Sequence, residues 1–597
     1  MRCQFIKVTQ AKQTKTLFMT YGTNNSNALT FLALFYFLAL LLLYVFGLGH
    51  TGLYDNAEAQ IAQTSLASNS LVDAFLFSVQ DIGADKTILL PLQGVQYLSA
   101  TLFGETVFAL RLPSALAAFL MVFVFYNSVW LLTRSKRYAL MAAATFGLCP
   151  GVLVAARLAT PDALFVLFAL SATFMLMGNI YQNERSHLRL FVVGLLMGLA
   201  FLIGGVWAFI LPFLVAFLLA ILKEHRGYNL ASIAPFSVFV ASIIALFPWL
   251  LFVLKEKAPE GLLETLYYLS QVHHLQSAVP DFSWWFVPLA LAVVTLPWCL
   301  FLMPWFFSNI IHVLGRIRHP EPREALPAFA FVWLLFSIGA LIVMHYVLQI
   351  NISSMFLVFA LWLAAPMALI VADVFDRLPS AALGFSWFAL AFVLAVMLAV
   401  SFVWLPQAAT ILSGADDYVN LYQLFERFGL SLQVKDPFWL EVLSVKPEWG
   451  TTSAVVGALL FVGLVVGAYL MRHGALEGPL FAFIGVWFAL FIAVQGLAPA
   501  VYDHLQLPLK WMSVKIKKEQ AQTPVQVTLY ALDRPSVSYV SGVAYRQTNQ
   551  AEQAFKTLSL PLFVLTDIKN MPQLEPHVPA GATHECFGGY CLVEVYR

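Results

Sequence analysis

The sequence predicts a polytopic α-helical membrane protein of about thirteen transmembrane helices, closed by a small mixed α/β domain outside the membrane. Three observations carry that prediction. Hydrophobic residues make up 60% of the 597 residues and charged residues only 11%, against about 45–50% apolar and about 25% charged in soluble chains. The apolar residues come in runs of about 20, the length that spans a bilayer. After Val501 the composition turns polar and strand-like. The formal net charge of +1 offers no basic stripe, so no nucleic-acid partner is expected.

Taken in order, Arg2, Lys7, Lys12 and Lys15 precede the first apolar run, roughly Ala28 to Leu48. That run is too long for a signal-peptide core and no Ala-x-Ala site follows it, so it reads as an uncleaved first span. Further spans centre near Phe123, Ala144, Ala169, Leu195, Phe213, Ile243, Ala292, Leu335, Leu361, Phe392, Leu460 and Phe488, with the segments around Gly204 and Gly205 short. Alternate loops then collect the positive charge: Arg134, Lys136, Arg137, Arg316, Arg318, Arg323 and Arg377 share one side with the N-terminus. Lys and Arg favour the cytoplasmic side, which puts the N-terminus inside and the C-terminal tail outside. The expected division is a cytoplasmic segment over 1–27, a transmembrane domain over 28–500 with an outer loop at 49–107, and an outer domain over 501–597.

In the tail, Val525–Tyr530 and Leu562–Thr566 read as strands. Cys586 and Cys591 flank Phe-Gly-Gly-Tyr. The glycines permit a tight turn, and an outer, oxidising compartment favours a disulfide there. The alternative is two unpaired thiols; His584 alone adds little to a zinc set. Cys3, Cys149 and Cys299 read as free thiols.

The chemistry points to the polar stretch from Tyr54 to Lys86, which holds Asp55, Glu58, Asp73, Asp81, Asp85 and Lys86 in a chain poor in charge. Carboxylates just outside a membrane helix suit acid/base work or headgroup binding, although a solvated loop would look the same. Arg111-Leu-Pro-Ser114 opens the second span. Arg157-Leu-Ala-Thr-Pro161-Asp162 leads into the fourth, with Pro161 and Thr160 placed to start a helix and Asp162 in its first turn, where the dipole favours a carboxylate.

Together these motifs resemble the GT-C class of polytopic glycosyltransferases, within the protein O-mannosyltransferase-like superfamily, and most of all the bacterial lipid A aminoarabinose transferases. Asp55-Asn56-Ala57 stands for the family's Asp-Glu-Ala. Asp85-Lys86-Thr87-Ile88 stands for its acidic-Lys-Pro-Pro. Arg111–Ser114, Arg157–Asp162, Leu296-Pro297-Trp298 and an Arg-Pro-Ser strand at Arg534–Ser536 follow in the family's order. The departures are Asn56 for an acid, Glu58 for a basic residue, Thr87 and Ile88 for two prolines, and Gly204 for a lysine that holds donor phosphate.

The resemblance implies an enzyme of the bacterial inner membrane with its C-terminal domain in the periplasm. It implies a sugar donor linked to polyprenyl phosphate, a lipid, glycan or protein acceptor, and inversion at the anomeric carbon. Asp55 would be the base and Asp162 its catalytic neighbour, orienting a basic group or the acceptor. Lys86 and Arg157 would offset the charge of the leaving phosphate. Glu58, Asp85, His273 and His274 are the further substrate-binding candidates. No His-Glu-x-x-His-like spacing is present and no metal site is assigned; a divalent cation beside Asp55 is the one cofactor this arrangement could accept. The departures keep a second reading open, a non-catalytic GT-C-like protein that binds a polyprenyl or lipid ligand.

Overall fold

The structure, a computed structural model, describes residues 27–55, 58–66, 90–182, 186–251, 292–346, 356–377, 382–413, 451–472, 478–532, 534–556 and 561–596. Asn56, Asp85, Lys86, His273 and His274 lie outside the described residues.

The protein is a polytopic helical membrane protein with a small sheet domain at its C-terminal end. Among the described residues ten helices are long and apolar enough to cross a membrane, or eleven if one bent pair counts as a span. This count of the described residues does not confirm the expected thirteen. The run centred on Ala144 is the bent pair, Lys136–Gly147 and Pro150–Arg157, meeting at 63°. The run at Phe213 gives a shorter apolar helix, Trp207–Leu222, and the run at Phe392 lies within the helix Ala382–Ser413.

The bend in the third run has a clear cause. Pro150 at the helix start leaves carbonyls of the preceding turn without intrahelical partners. Tyr44 donates its hydroxyl to Gly147 O (2.7 Å) and the Trp298 indole N–H donates to Leu148 O (3.3 Å). Freed backbone at membrane depth must find such partners inside the protein. Elsewhere, the helices Thr452–Arg472 and Gly478–Ile492 touch backbone to backbone: a Cβ added to Gly463 would stand 2.5 Å from the Gly485 Cα. Small residues at a crossing permit that approach.

At one end of the bundle, charges that the sequence scatters over loops form a single network. Asp373, 1% exposed, accepts from Arg316 (3.0 Å), Arg323 (2.9 Å), Arg377 (2.6 Å) and the Trp305 indole (3.0 Å). Asp376 accepts from Arg323 and Arg137, and Glu324 from Arg377. The network ties together four helices, and its acids and bases nearly balance, as buried charges must.

At the other end, helix Ala498–Gln520 continues from the last span, Gly478–Asp503, and enters the sheet domain. Its Leu509, Met512 and Ile516 join the domain's core with Val527, Leu529, Phe563 and Leu592. The sheet has five strands in the order β2-β1-β3-β5-β4. They are β1 Gln526–Tyr530, β2 Tyr545–Thr548, β3 Leu562–Asp567, β4 Thr583–Phe587 and β5 Tyr590–Val595. β1 runs parallel to β2 and β3; β5 runs antiparallel to β3 and β4. Cys586 and Cys591 face one another across β4 and β5 and are joined by a disulfide. The Arg534–Ser536 motif is not a strand. Arg534 caps, and Pro535 starts, the short helix Pro535–Ser541, because proline is pre-set for a first helical turn and offers nothing to a sheet ladder.

Candidate functional site

The site is built around Glu58 rather than beside it. Glu58 opens the short helix Glu58–Leu66 and is 1% exposed. Arg111 Nε donates to its Oε1 (2.5 Å) and Nη2 to its Oε2 (2.7 Å). The Tyr54 N–H donates to Oε2 (2.9 Å) and the Ala159 N–H to Oε1 (2.7 Å). Arg111 directs its remaining donors at Leu48 O, Thr51 O, Thr51 Oγ1 and Gly52 O. A bidentate arginine with every donor matched is the arrangement in which a buried ion pair is tolerated. The substrate-binding assignment of Glu58 from sequence therefore meets a carboxylate whose oxygens are both taken up within the protein.

This latch sets the two aspartates. It grips the chain at Tyr54, one residue before Asp55, and at Ala159, three residues before Asp162. The turn before Asp162 has two more holds. Ser114 Oγ donates to Thr160 O (2.9 Å), and Gln96 Nε2 donates to Ala159 O (3.4 Å) and Leu110 O (3.1 Å). Ser65 Oγ in turn donates to Gln96 Oε1 (2.7 Å). Asp162 is then buried in the first turn of helix Asp162–Gln182. Ser65 and Gln96 escape the sequence motifs. For Gln96 the one signal is the polar stripe Gln93, Gln96 and Ser99 on the buried face of helix Leu90–Phe103.

Asp55 Oδ1 accepts the backbone N–H of Ser536 (2.9 Å), which belongs to the sheet domain. Two tyrosines, Tyr502 and Tyr590, interact electrostatically with Asp55. Burial pushes the Tyr590 phenol up to about 12, and Arg534 Nε donates to its oxygen (3.0 Å), so it faces Asp55 as a neutral group. Tyr54 is raised as well, by burial first. Beneath, the Tyr54 and Tyr502 rings meet edge-on at 5.2 Å, and Gly52 lies so close to Tyr502 that a Cβ there would stand 2.0 Å from its hydroxyl.

Arg157 Nη1 donates to Leu43 O (3.1 Å), Tyr44 O (3.3 Å) and Phe46 O (2.8 Å). These carbonyls end the first span, where a cation is favoured by the dipole and orphan acceptors need donors. Its place next to the Asp162 turn is compatible with a role toward phosphate, but Nη1 serves the fold. Gly204 ends helix His187–Gly204, and a Cβ there would stand 2.4 Å from the Phe165 ring. The next residue, Gly205, has φ +55°, a conformation that glycine adopts without cost. The space a lysine would need at 204 is thus filled by Phe165. Gly204→Lys should lower the melting temperature of the purified protein, an overpacking penalty of about 1–3 kcal/mol. An unchanged melting temperature would contradict this. Among the described residues no group of three or more His, Cys, Asp or Glu side chains could hold a metal ion.

The crystal structure of ArnT from Cupriavidus metallidurans in the apo state superimposes with a TM-score of 0.65, covering 94% of this chain and 97% of that one at 15% identity. The chain has the ArnT fold. The structure of the same ArnT bound to undecaprenyl phosphate gives the same TM-score and coverage. The family model described as dolichyl-phosphate-mannose-protein mannosyltransferase matches residues 93–252, which include Gln96, Arg111, Arg157 and Asp162. The undecaprenyl phosphate-α-4-amino-4-deoxy-L-arabinose arabinosyl transferase of Pseudomonas aeruginosa PAO1 is 28% identical over 306 residues, 49% of this chain and 52% of its own. A counterpart from Pseudomonas fluorescens Pf0-1 is 25% identical over 312 residues. The chain spans about half the length of the curated relatives it matches, while the ArnT fold extends over nearly all of it.

Proposed function

We propose that this protein is a membrane glycosyltransferase that moves a sugar from a polyprenyl-phosphate donor to a lipid acceptor, at the end of the bundle where the sheet domain sits. The observation that carries the reading is Asp55: a carboxylate at the mouth of a membrane bundle, held by a backbone N–H and set by a buried latch that also sets Asp162. In the reaction an acceptor hydroxyl, or an already ionised acceptor phosphate, attacks the anomeric carbon, the bond from that carbon to the donor phosphate oxygen breaks, and polyprenyl phosphate leaves with its electron pair; a phosphate acceptor needs no strong base. Asp55 takes the hydroxyl proton. Asp162 orients the acceptor or a basic neighbour. Lys86 and Arg157 face the leaving phosphate. Asp85, His273 and His274 are further contacts to substrate, and a divalent cation beside Asp55 is the one cofactor this arrangement could accept.

The ArnT fold and the names of the relatives support a donor carried on undecaprenyl phosphate. Purified protein given undecaprenyl-phosphate-linked 4-amino-4-deoxy-L-arabinose and lipid A should release undecaprenyl phosphate. Intact donor after prolonged incubation would contradict the reading. The non-catalytic alternative draws on one observation, the Phe165 ring packed where a phosphate-binding lysine would stand, and an inert protein that still binds undecaprenyl phosphate would be its signature.

The same proposal places the N-terminus in the cytoplasm and the sheet domain in the periplasm of a bacterial inner membrane, from the bias of Lys and Arg among the loops. Lys569 is exposed on the sheet domain. A Lys569→Cys variant should react with an impermeant thiol reagent in spheroplasts; reaction only after lysis would reverse the orientation.

A further inference from the structure

The sheet domain is attached at two places. Its core is built on helix Ala498–Gln520, the extension of the last span. Independently, its helix Pro535–Ser541 lands on the site: Tyr539 packs against the cluster of Leu53, Ala59, Ala62, Leu110 and Ala159, the residues around the Glu58 latch. That landing brings the Ser536 N–H to 2.9 Å from Asp55 Oδ1. The N–H of the second residue of a helix has no intrahelical partner, so its donation to Asp55 leaves the helix's own hydrogen bonds intact.

We propose that the sheet domain is a working part of the site, in which Ser536 is a positioning residue whose N–H keeps the Asp55 carboxylate ionised and aimed. This rests on the reading of Asp55 as the base. A hydrogen bond to the charged form of an acid favours that form. Other groups from both domains surround Asp55. Tyr502 comes from the last span and Tyr590 from β5, and Arg534 Nε donates to Tyr590. Glu58 and Arg111, on the same side, are matched to each other. A site whose base depends on a seated second domain is competent only when that domain is docked, so docking becomes a condition for transfer.

The test uses the full-length protein in nanodiscs. Difference infrared titration, with Asp55→Asn as the reference, reads protonation of Asp55 whatever sugar is the natural one. Ser536→Ala keeps the N–H and should titrate as the parent does. Ser536→Pro removes the N–H at a position where a first-turn proline is tolerated. Its Asp55 should protonate about one to two pH units higher, the worth of one hydrogen bond to a carboxylate. The acid limb of kcat/KM should move up by the same amount. Should Ser536→Pro fail to fold, an amide-to-ester replacement at residue 536 deletes the same N–H without the ring. Coincident titrations for the N–H-deleted protein and Ser536→Ala would overturn the domain's role and leave the base assignment standing. Undiminished transfer by Asp55→Asn would remove the base assignment itself.

Discussion

Asp55→Asn should keep the fold and the docking of the sheet domain while turnover falls by roughly 10²–10⁴. The amide retains an oxygen where Oδ1 accepts the Ser536 N–H, so the change removes basicity and little else. Nearby Asp162 should not rescue it, because Asp162 is buried in a helix first turn. Binding of undecaprenyl phosphate should be unaffected, since the loss falls on the step and not on the ground state. The check is release of undecaprenyl phosphate from the lipid-linked sugar, measured beside the variant's melting temperature. Full turnover in a folded variant would take Asp55 out of the chemistry.

The second large effect concerns the latch. Arg111→Ala should leave little folded protein in the membrane. It strands Glu58, 1% exposed, with a charge and only two backbone N–H donors. Breaking a buried pair from one side costs about 3–5 kcal/mol, a large part of a typical stability of about 5–15 kcal/mol. Arg111→Lys should fare poorly too, because an ammonium cannot reach Glu58 and the carbonyls of Leu48, Thr51 and Gly52 together. The double variant Glu58→Ala with Arg111→Ala should be more stable than Arg111→Ala alone, since neither charge is then left unmatched. Melting temperatures of the set decide this, and additive losses would contradict the account of the pair.

How far these features could be read from sequence follows from how far apart their partners lie. The apolar runs and the strands β1 and β3 were legible because burial and alternation are local signals. The motifs around Asp55, Arg111, Arg157 and Asp162 were legible as polar groups in a chain with few of them. Their partners were not. Glu58 stands 53 residues from Arg111 and 101 from Ala159, and nothing local distinguishes an acid that faces substrate from one that grips a buried arginine. Ser536 lies 481 residues from Asp55 and acts through its backbone, which carries no residue-type signature at all. Arg316 and Arg323 look like ordinary loop charges until Asp373, 57 and 50 residues away, is seen between them.

The two ends of the bundle offer a phosphate two cationic neighbourhoods, the Asp55 end with Arg157 and the cluster of Arg316, Arg323 and Arg377 around Asp373. The central claim is that the donor lipid binds at the first. Cryo-electron microscopy of the protein saturated with undecaprenyl phosphate should show phosphate density between Asp55 and the Arg157–Asp162 turn, with the chain running into the lipid alongside the bundle. Phosphate density at the Asp373 cluster, and none beside Asp55, would contradict it.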